Sequence, residues 1–331
     1  MNCKQVNIFL SSVNTSSKCT MVDEYGDYVF YNIPTSLLTS PGGYTFSIGY
    51  TASVFTLTSF TQSGNWNACN TGIPDYDPDA NSFVVAAGLS NSTEILAIHK
   101  LTSDLKSNNL WNQFKAIYPM VGGTESSCKY NLINVNLFTL TFFNSPTFSS
   151  TGVRWDGSTQ YAATGLIPNS SLSASNTHFS YYSRQNTSGS SAICMGVSSF
   201  VSFTFQNIFM TLKNLGNNVL VSNYGTNPNT FAYSSFTSSG YFLASRISTS
   251  TRGYRNSGQG MADFGGQTIA AGSLPTREFY IGCNNSEGTP SLYDNRECSF
   301  VTIGYGLTAS QIDTLGTIVN TFQTTLGRNV Y

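Results

Sequence analysis

The acidic residues of this sequence lack the spacing of a catalytic carboxylate pair. Asp294 and Glu297 form the closest acidic pair in the C-terminal half, whereas retaining glycosidases need two carboxylates about 5–5.5 Å apart across one bond. Arg296 lies between them, so we interpret the group as a surface salt bridge. No Glu-x-Asp-x-Glu pattern occurs, and Asp156 beside Gly157 has the pattern of a turn residue. The sequence therefore predicts no catalytic residue, and a protein that is not an enzyme.

Metal and histidine chemistry is equally sparse. The chain contains two histidines, His99 and His178, without a second ligand nearby in sequence, so both are interpreted as structural or solvated. Asp75, Asp77 and Asp79 have the alternation of a calcium loop, but Ala80 stands where such a loop needs glycine. A linker and a helix cap are the preferred interpretation. No cofactor and no metal site are predicted.

The cysteines do not form a metal or redox motif. They are seven in number and scattered, with no Cys-x-x-Cys pair: Cys3, Cys19, Cys69, Cys128, Cys194, Cys283 and Cys298. We interpret them mostly as buried reduced thiols. Disulfides between Cys3 and Cys19 or between Cys283 and Cys298 are alternatives.

Glycan binding has the most physical support among the functions considered. Sugar rings stack on exposed aromatic side chains, and their hydroxyls bond to amides, carboxylates and guanidinium groups. The candidates lie near predicted loops or strand ends: Trp155, Tyr161, Tyr182, Arg184, Tyr254 and Tyr293. The alternative is that they are core or subunit-contact residues, because aromatic residues also anchor protein interfaces.

Composition excludes several other functions. The net charge is −1 and the 15 basic residues form no run, so the sequence offers no patch for nucleic acid. No stretch of about 18 apolar residues predicts a membrane span, and the apolar patch within Met1–Thr20 is too short for a signal peptide. Aromatic residues make up 14% of the chain, which argues against disorder.

The elements that must position these residues are mostly β-strands. Residues 1–75 read as a small β domain, with strands predicted at Val6–Leu10, Tyr28–Tyr31, Tyr44–Tyr50 and Val54–Phe60. Residues 76–122 read as a helical connector. Its helices are predicted to begin at caps Asp77 and Asn91, the latter in a capping box with Glu94, and a third is predicted over Leu110–Tyr118.

Residues 123–331 read as a two-sheet jelly roll closed by a helix. The strands are predicted at Asn136–Phe143, Phe148–Arg154, His178–Arg184, Val201–Phe205, Phe209–Leu212, Val219–Ser222, Tyr241–Ile247, Phe279–Gly282 and Phe300–Ile303. Thr308 and Gln311 have capping-box spacing, and an apolar stripe from Ile312 to Leu326 follows them.

Several of these segments carry a family resemblance. The phrase Phe279-Tyr280-Ile281-Gly282, the helix start Leu307-Thr308-Ala309-Ser310-Gln311-Ile312 and the hairpin Gly253-Tyr254-Arg255-Asn256-Ser257-Gly258 resemble the concanavalin A-like, or laminin G-like, jelly-roll family. This resemblance implies a β-sandwich. Calcium-binding rim loops occur in that family, but no motif in this sequence identifies residues that would be calcium ligands.

A narrower resemblance covers roughly residues 77–331. The runs 110–124, 129–132, 150–153, 177–184 and 322–328 are similar to jelly-roll modules in virion proteins of tailed bacteriophages. This resemblance implies a virion-surface structural protein of the fibre, spike or capsid-auxiliary type, made in the host cytoplasm, whose partners are other virion proteins, copies of itself as a homotrimer, and a host-surface glycan. The alternatives are a free carbohydrate-binding lectin module and a polysaccharide-degrading enzyme.

Overall fold

The protein divides into two compact units, residues 1–75 and 76–331. The computed structural model describes the backbone of five strands in the first unit. In the second unit it describes residues 77–330 except 188–189, 202–203, 216–217, 224–230, 235–236, 257–259, 269 and 271.

The strands of the first unit form two small antiparallel sheets. They are β1 (Lys4–Ile8), β2 (Lys18–Asp23), β3 (Tyr28–Pro34), β4 (Tyr44–Ile48) and β5 (Phe55–Thr61). β1 pairs with β4, and β2 lies between β3 and β5. Four of these strands match predicted ones, whereas β2 was not predicted.

The second unit opens with two capped helices at the predicted positions. α1 (Pro78–Ala86) begins at Asp77, whose carboxylate accepts from the backbone N–H of Asp79 and Ala80. α2 (Ser92–Ser107) begins at Asn91, whose side chain accepts from two N–H groups of its first turn. Glu94 does not complete a capping box as predicted, because its Oε1 accepts instead from the Gly122 N–H at 2.9 Å.

The predicted third helix is wrong. Residues 111–113 form a single 3₁₀ turn, and β6 (Phe114–Tyr118) follows as a strand paired with β22 (Glu297–Gly304). Ala116 and Tyr118 contact the core between the sheets, while Phe114 and Ile117 contact the helices. A strand with apolar partners on both faces lacks the alternation of apolar and polar residues that identifies a half-buried strand, so its pattern resembles that of a short helix.

Two sheets of nine and eight strands form the body of this unit. Between β6 and β22 the strands are β7 (Thr141–Phe143), β8 (Thr147–Ser149), β9 (Gly152–Arg154), β10 (Tyr161–Ala163), β11 (Asn176–Ser183), β12 (Met195–Val201), β13 (Thr204–Thr211), β14 (Asn218–Asn223), β15 (Phe231–Ser234), β16 (Gly240–Ile247), β17 (Ser250–Asn256), β18 (Met261–Thr268), β19 (Tyr280–Ile281), β20 (Asn284–Ser286) and β21 (Thr289–Ser291). The short helices α3 (Glu125–Cys128) and α4 (Pro168–Ser171) lie in connections, and α5 (Ala309–Thr325) closes the chain.

The nine-stranded sheet has the order β15-β14-β13-β12-β19-β10-β7, with β20 beside β12 and β21 beside β20. The eight-stranded sheet has the order β18-β17-β16-β11-β22-β9-β8, with β6 also on β22. The predicted strand Val201–Phe205 is wrong as one strand, since it overlaps the end of β12 and the start of β13. The prediction of a mostly β sandwich with a C-terminal helix is confirmed.

Two apolar cores hold this arrangement together. The first lies between the sheets, where Val197 and Met210 of the nine-stranded sheet meet Phe179 and Val301 of the eight-stranded sheet. The second lies on the outer face of the eight-stranded sheet, under the helices. There, the apolar stripe of α5 and the buried face of α2 cover side chains of β11, β16 and β22.

The helical segment is therefore a layer of the sandwich unit and not a separate spacer. Leu101 and Leu105 of α2 are buried in the same core as Phe300 of β22 and Phe322 of α5. The compact unit begins at residue 76, so the predicted boundary at 122–123 does not separate two bodies. The physical reason is that an amphipathic helix must bury its apolar stripe, and the outer face of this sheet supplies the partner.

The described cysteines are buried and reduced. Cys128, Cys194, Cys283 and Cys298 are free thiols, so the alternative Cys283–Cys298 disulfide is wrong. The side chains of Cys3, Cys19 and Cys69 lie outside the described residues. In the helices that the structure describes, no segment combines the length and hydropathy required to cross a bilayer.

Candidate functional site

Four aromatic rings gather at one edge of the nine-stranded sheet. Phe143 of β7, Tyr161 of β10, Tyr280 of β19 and Tyr293 form what we call the aromatic edge cluster. Strand alternation aims them away from the core, because neighbours in sequence such as Phe142, Ala162 and Ile281 contact the core between the sheets. β7 is the outermost strand, so the cluster reaches the rim of the sandwich.

The rings of the cluster support one another. Phe143 and Tyr161 are directly paired across β7 and β10, and their rings stack 4.5 Å apart at an angle of 4°. The other neighbour of Tyr161 is Tyr280, with ring centroids 4.7 Å apart. Phe143 is 37% exposed while Tyr161 is 8% exposed. Tyr161 therefore acts as a rigid backing, and Phe143 presents a ring to solvent.

A clamped pair of loops borders Phe143. Asn144 and Ser145 follow it directly, and both adopt positive φ angles of 60° and 54°. Gln160 Nε2 donates to both of their carbonyls, and Asn144 Nδ2 donates to the Thr159 carbonyl at 2.7 Å. A non-glycine residue in the left-handed region costs about 1–3 kcal/mol and persists only where surrounding contacts enforce it. These contacts fix the rim beside the exposed ring.

Asp156 organises the second of these loops. One carboxylate oxygen accepts backbone N–H groups from Ser158, Thr159 and Gln160, which confirms Asp156 as a turn residue. Partial desolvation acts to raise the pKa of Asp156, but the three N–H donors and the Thr159 hydroxyl outweigh it and hold that pKa well below its usual value. The carboxylate is therefore negatively charged, and it adds to the larger effects of burial and Cys283 in raising the pKa of Tyr293.

Burial dominates the titration of the cluster hydroxyls. It raises the pKa of Tyr161 to about 12, with further contributions from Tyr280, Cys283, Tyr293 and Glu278. Burial and then Glu278 raise the pKa of Tyr280. The phenols therefore remain neutral near pH 7 and serve as hydrogen-bond donors and acceptors.

The structure brings together two of the six predicted glycan-binding residues, Tyr161 and Tyr293, whose ring centroids lie 6.3 Å apart. The other four lie elsewhere. Trp155 is buried between the sheets and donates to the Tyr181 hydroxyl at 3.2 Å. Tyr182 and Tyr254 are buried in the core beneath the helices. These three rings offer no face to a ligand and fit the alternative interpretation as core residues.

Arg184, the sixth predicted residue, is a half-buried bridge. Its Nε donates to the Arg328 carbonyl at 3.0 Å, and its Nη1 lies 3.1 Å from Glu297 Oε2. These bonds tie the C-terminal segment to the first residue of β22. Its guanidinium is thus engaged in the fold at a position apart from the cluster.

The predicted surface salt bridge at Asp294 is wrong in its location. Asp294 and Arg296 form a short ion pair with both side chains fully buried, and Glu297 pairs with Arg184 instead. Tyr181 donates to Asp294 from 3.4 Å. The segment crosses the end of the sandwich between the sheets, so side chains that alternate in sequence turn inward there. This position does not present two carboxylates to a substrate.

Both histidines are structural. His178 is fully buried, its Nδ1 donates to the Tyr305 carbonyl, and its Nε2 accepts from the Thr302 hydroxyl at 3.1 Å. Burial lowers its pKa to about 4, against the opposing effect of the Tyr305 carbonyl. His99 is buried in α2, where burial also lowers its pKa.

The acidic triplet does not form a metal site where it can be seen. Asp77 caps α1, and Lys106 pairs with Asp77 and Asp79 at 2.7 and 2.6 Å. Asp75 lies outside the described residues. In the part of the chain that the structure describes, no three His, Cys, Asp or Glu side chains gather as metal ligands would.

Sequence reasoning missed Phe143 and Tyr280. A usable signal was present, because Phe142-Phe143 ends a predicted strand and Tyr280 lies between the inward-facing Phe279 and Ile281. Alternation assigns Phe143 and Tyr280 to the outer face. Their proximity to Tyr161 depends on pairing of β10 with both β7 and β19, which no local pattern encodes.

Comparisons with known proteins give distant structural likenesses. No family model and no curated protein sequence matches the chain. Domain 4 of an extracellular arabinanase from Geobacillus stearothermophilus is 12% identical, covering 62% of this chain and 98% of its own, with a TM-score of 0.44. A mutant sialidase of Trypanosoma rangeli is 12% identical, covering 71% of this chain and 40% of its own, with a TM-score of 0.48.

A third likeness is the CBM40 module of a Ruminococcus gnavus sialidase, solved with sialyllactose. It is 9% identical and covers 43% of this chain and 81% of its own, with a TM-score of 0.32. Identities and TM-scores at this level assign no role to any residue of this chain. The named structures are not bacteriophage proteins, so the virion part of the sequence resemblance stays a prediction.

Proposed function

We propose that the protein is a non-enzymatic glycan-binding module whose binding surface is the aromatic edge cluster. The observation that carries the proposal is the exposed ring of Phe143, stacked on Tyr161 and bordered by clamped loops. A pyranose has an apolar face of C–H groups, and an aromatic ring offers it a flat apolar surface with a negative π face. The ring pair and its fixed rim limit the ordering cost of such contact.

The polar neighbours of the cluster suit the hydroxyl groups of a sugar. Tyr293 is half-buried beside Tyr161, and Ser145, Ser158 and Thr159 lie on the adjoining loops. Hydroxyl and backbone groups of this kind fix orientation once an aromatic ring has supplied contact area. Phe143 is the most exposed residue of the cluster, and a single exposed ring favours weak binding of one sugar and stronger binding by several copies together.

The absence of catalysis in this proposal is supported by the engagement of the carboxylates. In the described part of the chain, Asp294 and Glu297 pair with arginines, Asp156 holds a turn, and Glu278 accepts from the Gly165 N–H. A glycosidase needs one carboxyl group as acid and another as nucleophile or base on opposite sides of the same bond. The carboxylates nearest the aromatic edge cluster, Asp156 and Glu278, are both engaged by backbone N–H groups.

The finer part of the proposal is display on a bacteriophage particle as a fibre, spike or capsid-auxiliary component. It is supported by the sequence resemblance over residues 77–331. Display in symmetric copies would raise the avidity of a weak site. A free lectin module is the second candidate. Light scattering of the purified chain separates them, since a stable trimer supports a fibre and a monomer that binds sugar supports the lectin.

The proposal is tested by binding of the full chain to an array of immobilised oligosaccharides, with Phe143→Ala and Phe200→Ala assayed beside it. Phe200 is a matched control, because it is 63% exposed at the end of β12 and packs on Phe205, outside the cluster. Binding that is lost with Phe143→Ala and kept with Phe200→Ala supports the proposal. An array with no bound glycan, or equal loss in both variants, refutes it.

A further inference from the structure

The charges around the aromatic edge cluster differ from what an acidic sugar would need. Glu278 lies two residues before Tyr280 in the sequence, and the Asp156 carboxylate accepts from the N–H of Gln160, the residue before Tyr161. Two carboxylates therefore lie close to the cluster along the chain. Both are held in place by backbone N–H donors, Glu278 by Gly165 at 2.5 Å and Asp156 by its own turn.

The arginines closest in sequence to the cluster residues are paired, buried or on the other sheet. Arg277, three residues before Tyr280, has its Nε 3.5 Å from Glu287 Oε2, and both side chains are exposed. Arg154, two residues before Asp156, is exposed but lies on β9 in the eight-stranded sheet. Arg296 lies close in sequence to Tyr293 but is fully buried against Asp294. Arg184 is committed to Glu297 and to the Arg328 carbonyl. Recognition of a carboxylate or sulfate normally uses an available arginine or lysine.

From this arrangement we propose that the aromatic edge cluster selects uncharged or cationic sugars and disfavours acidic ones. The inference rests on the proposed function and specifies its ligand class. Like charges repel across solvent, and salt screens this repulsion beyond about 8 Å at 0.15 M ionic strength. Each carboxylate is then expected to weaken binding of a monoanionic sugar by about twofold, and the two together by roughly three- to fivefold.

The dependence of sugar affinity on salt concentration provides a separate test of the inference. Binding of an acidic sugar should strengthen as salt rises from 0.02 to 0.5 M, because screening reduces repulsion from Asp156 and Glu278, by about threefold. Binding of a neutral sugar should change little over the same range, because stacking on Phe143 involves no net charge.

The test measures the full chain against matched probes: lactose and sialyllactose, galactan and galacturonan oligomers, and chitin and chitosan oligomers. Asp156→Asn with Glu278→Gln keeps an oxygen acceptor for each bound N–H but removes both charges. We expect this double variant to raise the acidic-to-neutral affinity ratio about three- to fivefold. Asp104→Asn is the charge control, because Asp104 pairs with Lys100 on α2, in the helical layer on the other sheet.

The outcomes separate the inference from the function on which it rests. Three results together support both the inference and the proposed function: the chain prefers neutral or cationic sugars, Phe143→Ala abolishes binding, and only the double variant shifts the acidic-to-neutral affinity ratio. If the chain instead prefers the acidic oligosaccharides and Phe143→Ala still abolishes binding, the inference is overturned and glycan binding at the cluster stands. An unchanged ratio in the double variant also overturns the inference. Binding that Phe143→Ala does not reduce overturns both.

Discussion

Replacement of Phe143 by alanine should weaken glycan binding by about 5- to 25-fold. The side chain is 37% exposed, and a phenylalanine presents about 200 Å² in full, so roughly 75 Å² is available for a ligand to cover. At about 25 cal/mol per Å² this area corresponds to about 1.9 kcal/mol if fully covered and about 1 kcal/mol if half is covered. Each 1.4 kcal/mol is about tenfold in Kd.

The assay is isothermal titration of wild type, Phe143→Ala and Phe200→Ala with the tightest oligosaccharide found on the array. Loss of the Phe143–Tyr161 stack should also destabilise the fold by about 1–2 kcal/mol, so thermal melts must show that each variant is folded. A Kd for folded Phe143→Ala within twofold of the wild type would refute the reasoning. So would a Phe200→Ala Kd that rises as far as that of Phe143→Ala.

Three further predictions concern the fold that supports the cluster. Burial holds the pKa of His178 at about 4, against 6.5 unfolded, so the folded state resists protonation, and this contribution to stability is present above pH 6.5. Roughly 3 kcal/mol should be lost as pH falls from 6.5 to 4. Denaturant melts should show a shallower acid slope for His178→Asn, and an equal slope would contradict the assignment. Arg296→Met should destabilise by about 3–5 kcal/mol because Asp294 stays buried without its cation, whereas the double change Asp294→Leu, Arg296→Met should recover most of the loss; equal melting of the single and double variants would argue against a buried pair. Residues 76–331 expressed alone should fold cooperatively, since both cores lie within that unit; a chain that melts without cooperativity would show that the boundary is misplaced.

Local signals in the sequence predicted where three of the helices begin. Asp77, Asn91 and Thr308 each accept backbone N–H groups of the helix that follows, because capping depends on neighbours three residues apart or fewer. The segment 114–118 was wrongly predicted as part of a helix, because its conformation depends on a partner far away in the sequence. Its strand conformation comes from pairing with β22, and such distant partners override local preference.

The candidate site also combines features that depend on local sequence with features that depend on distant strand pairing. Alternation along β7, β10 and β19 is local and assigns Phe143, Tyr161 and Tyr280 to one face. Which strands are neighbours is not local, so the predicted glycan-binding residues included Tyr161 and Tyr293 together with Trp155, Tyr182 and Tyr254. No local pattern distinguished rings at the rim of the sheet from rings in the two cores. Burial of the Asp294–Arg296 pair was likewise hidden, because charged residues are rarely buried unless paired, and their pairing depends on where the chain crosses the sandwich.

The central claim is tested most directly by fluorine NMR of the chain with 4-fluorophenylalanine placed at position 143 or, in a second sample, at position 200. Addition of the array-selected oligosaccharide should shift the resonance at position 143, with a midpoint equal to the Kd, and leave the resonance at position 200 unchanged. A saturated complex in which the resonance at position 143 does not move would contradict glycan binding at the aromatic edge cluster.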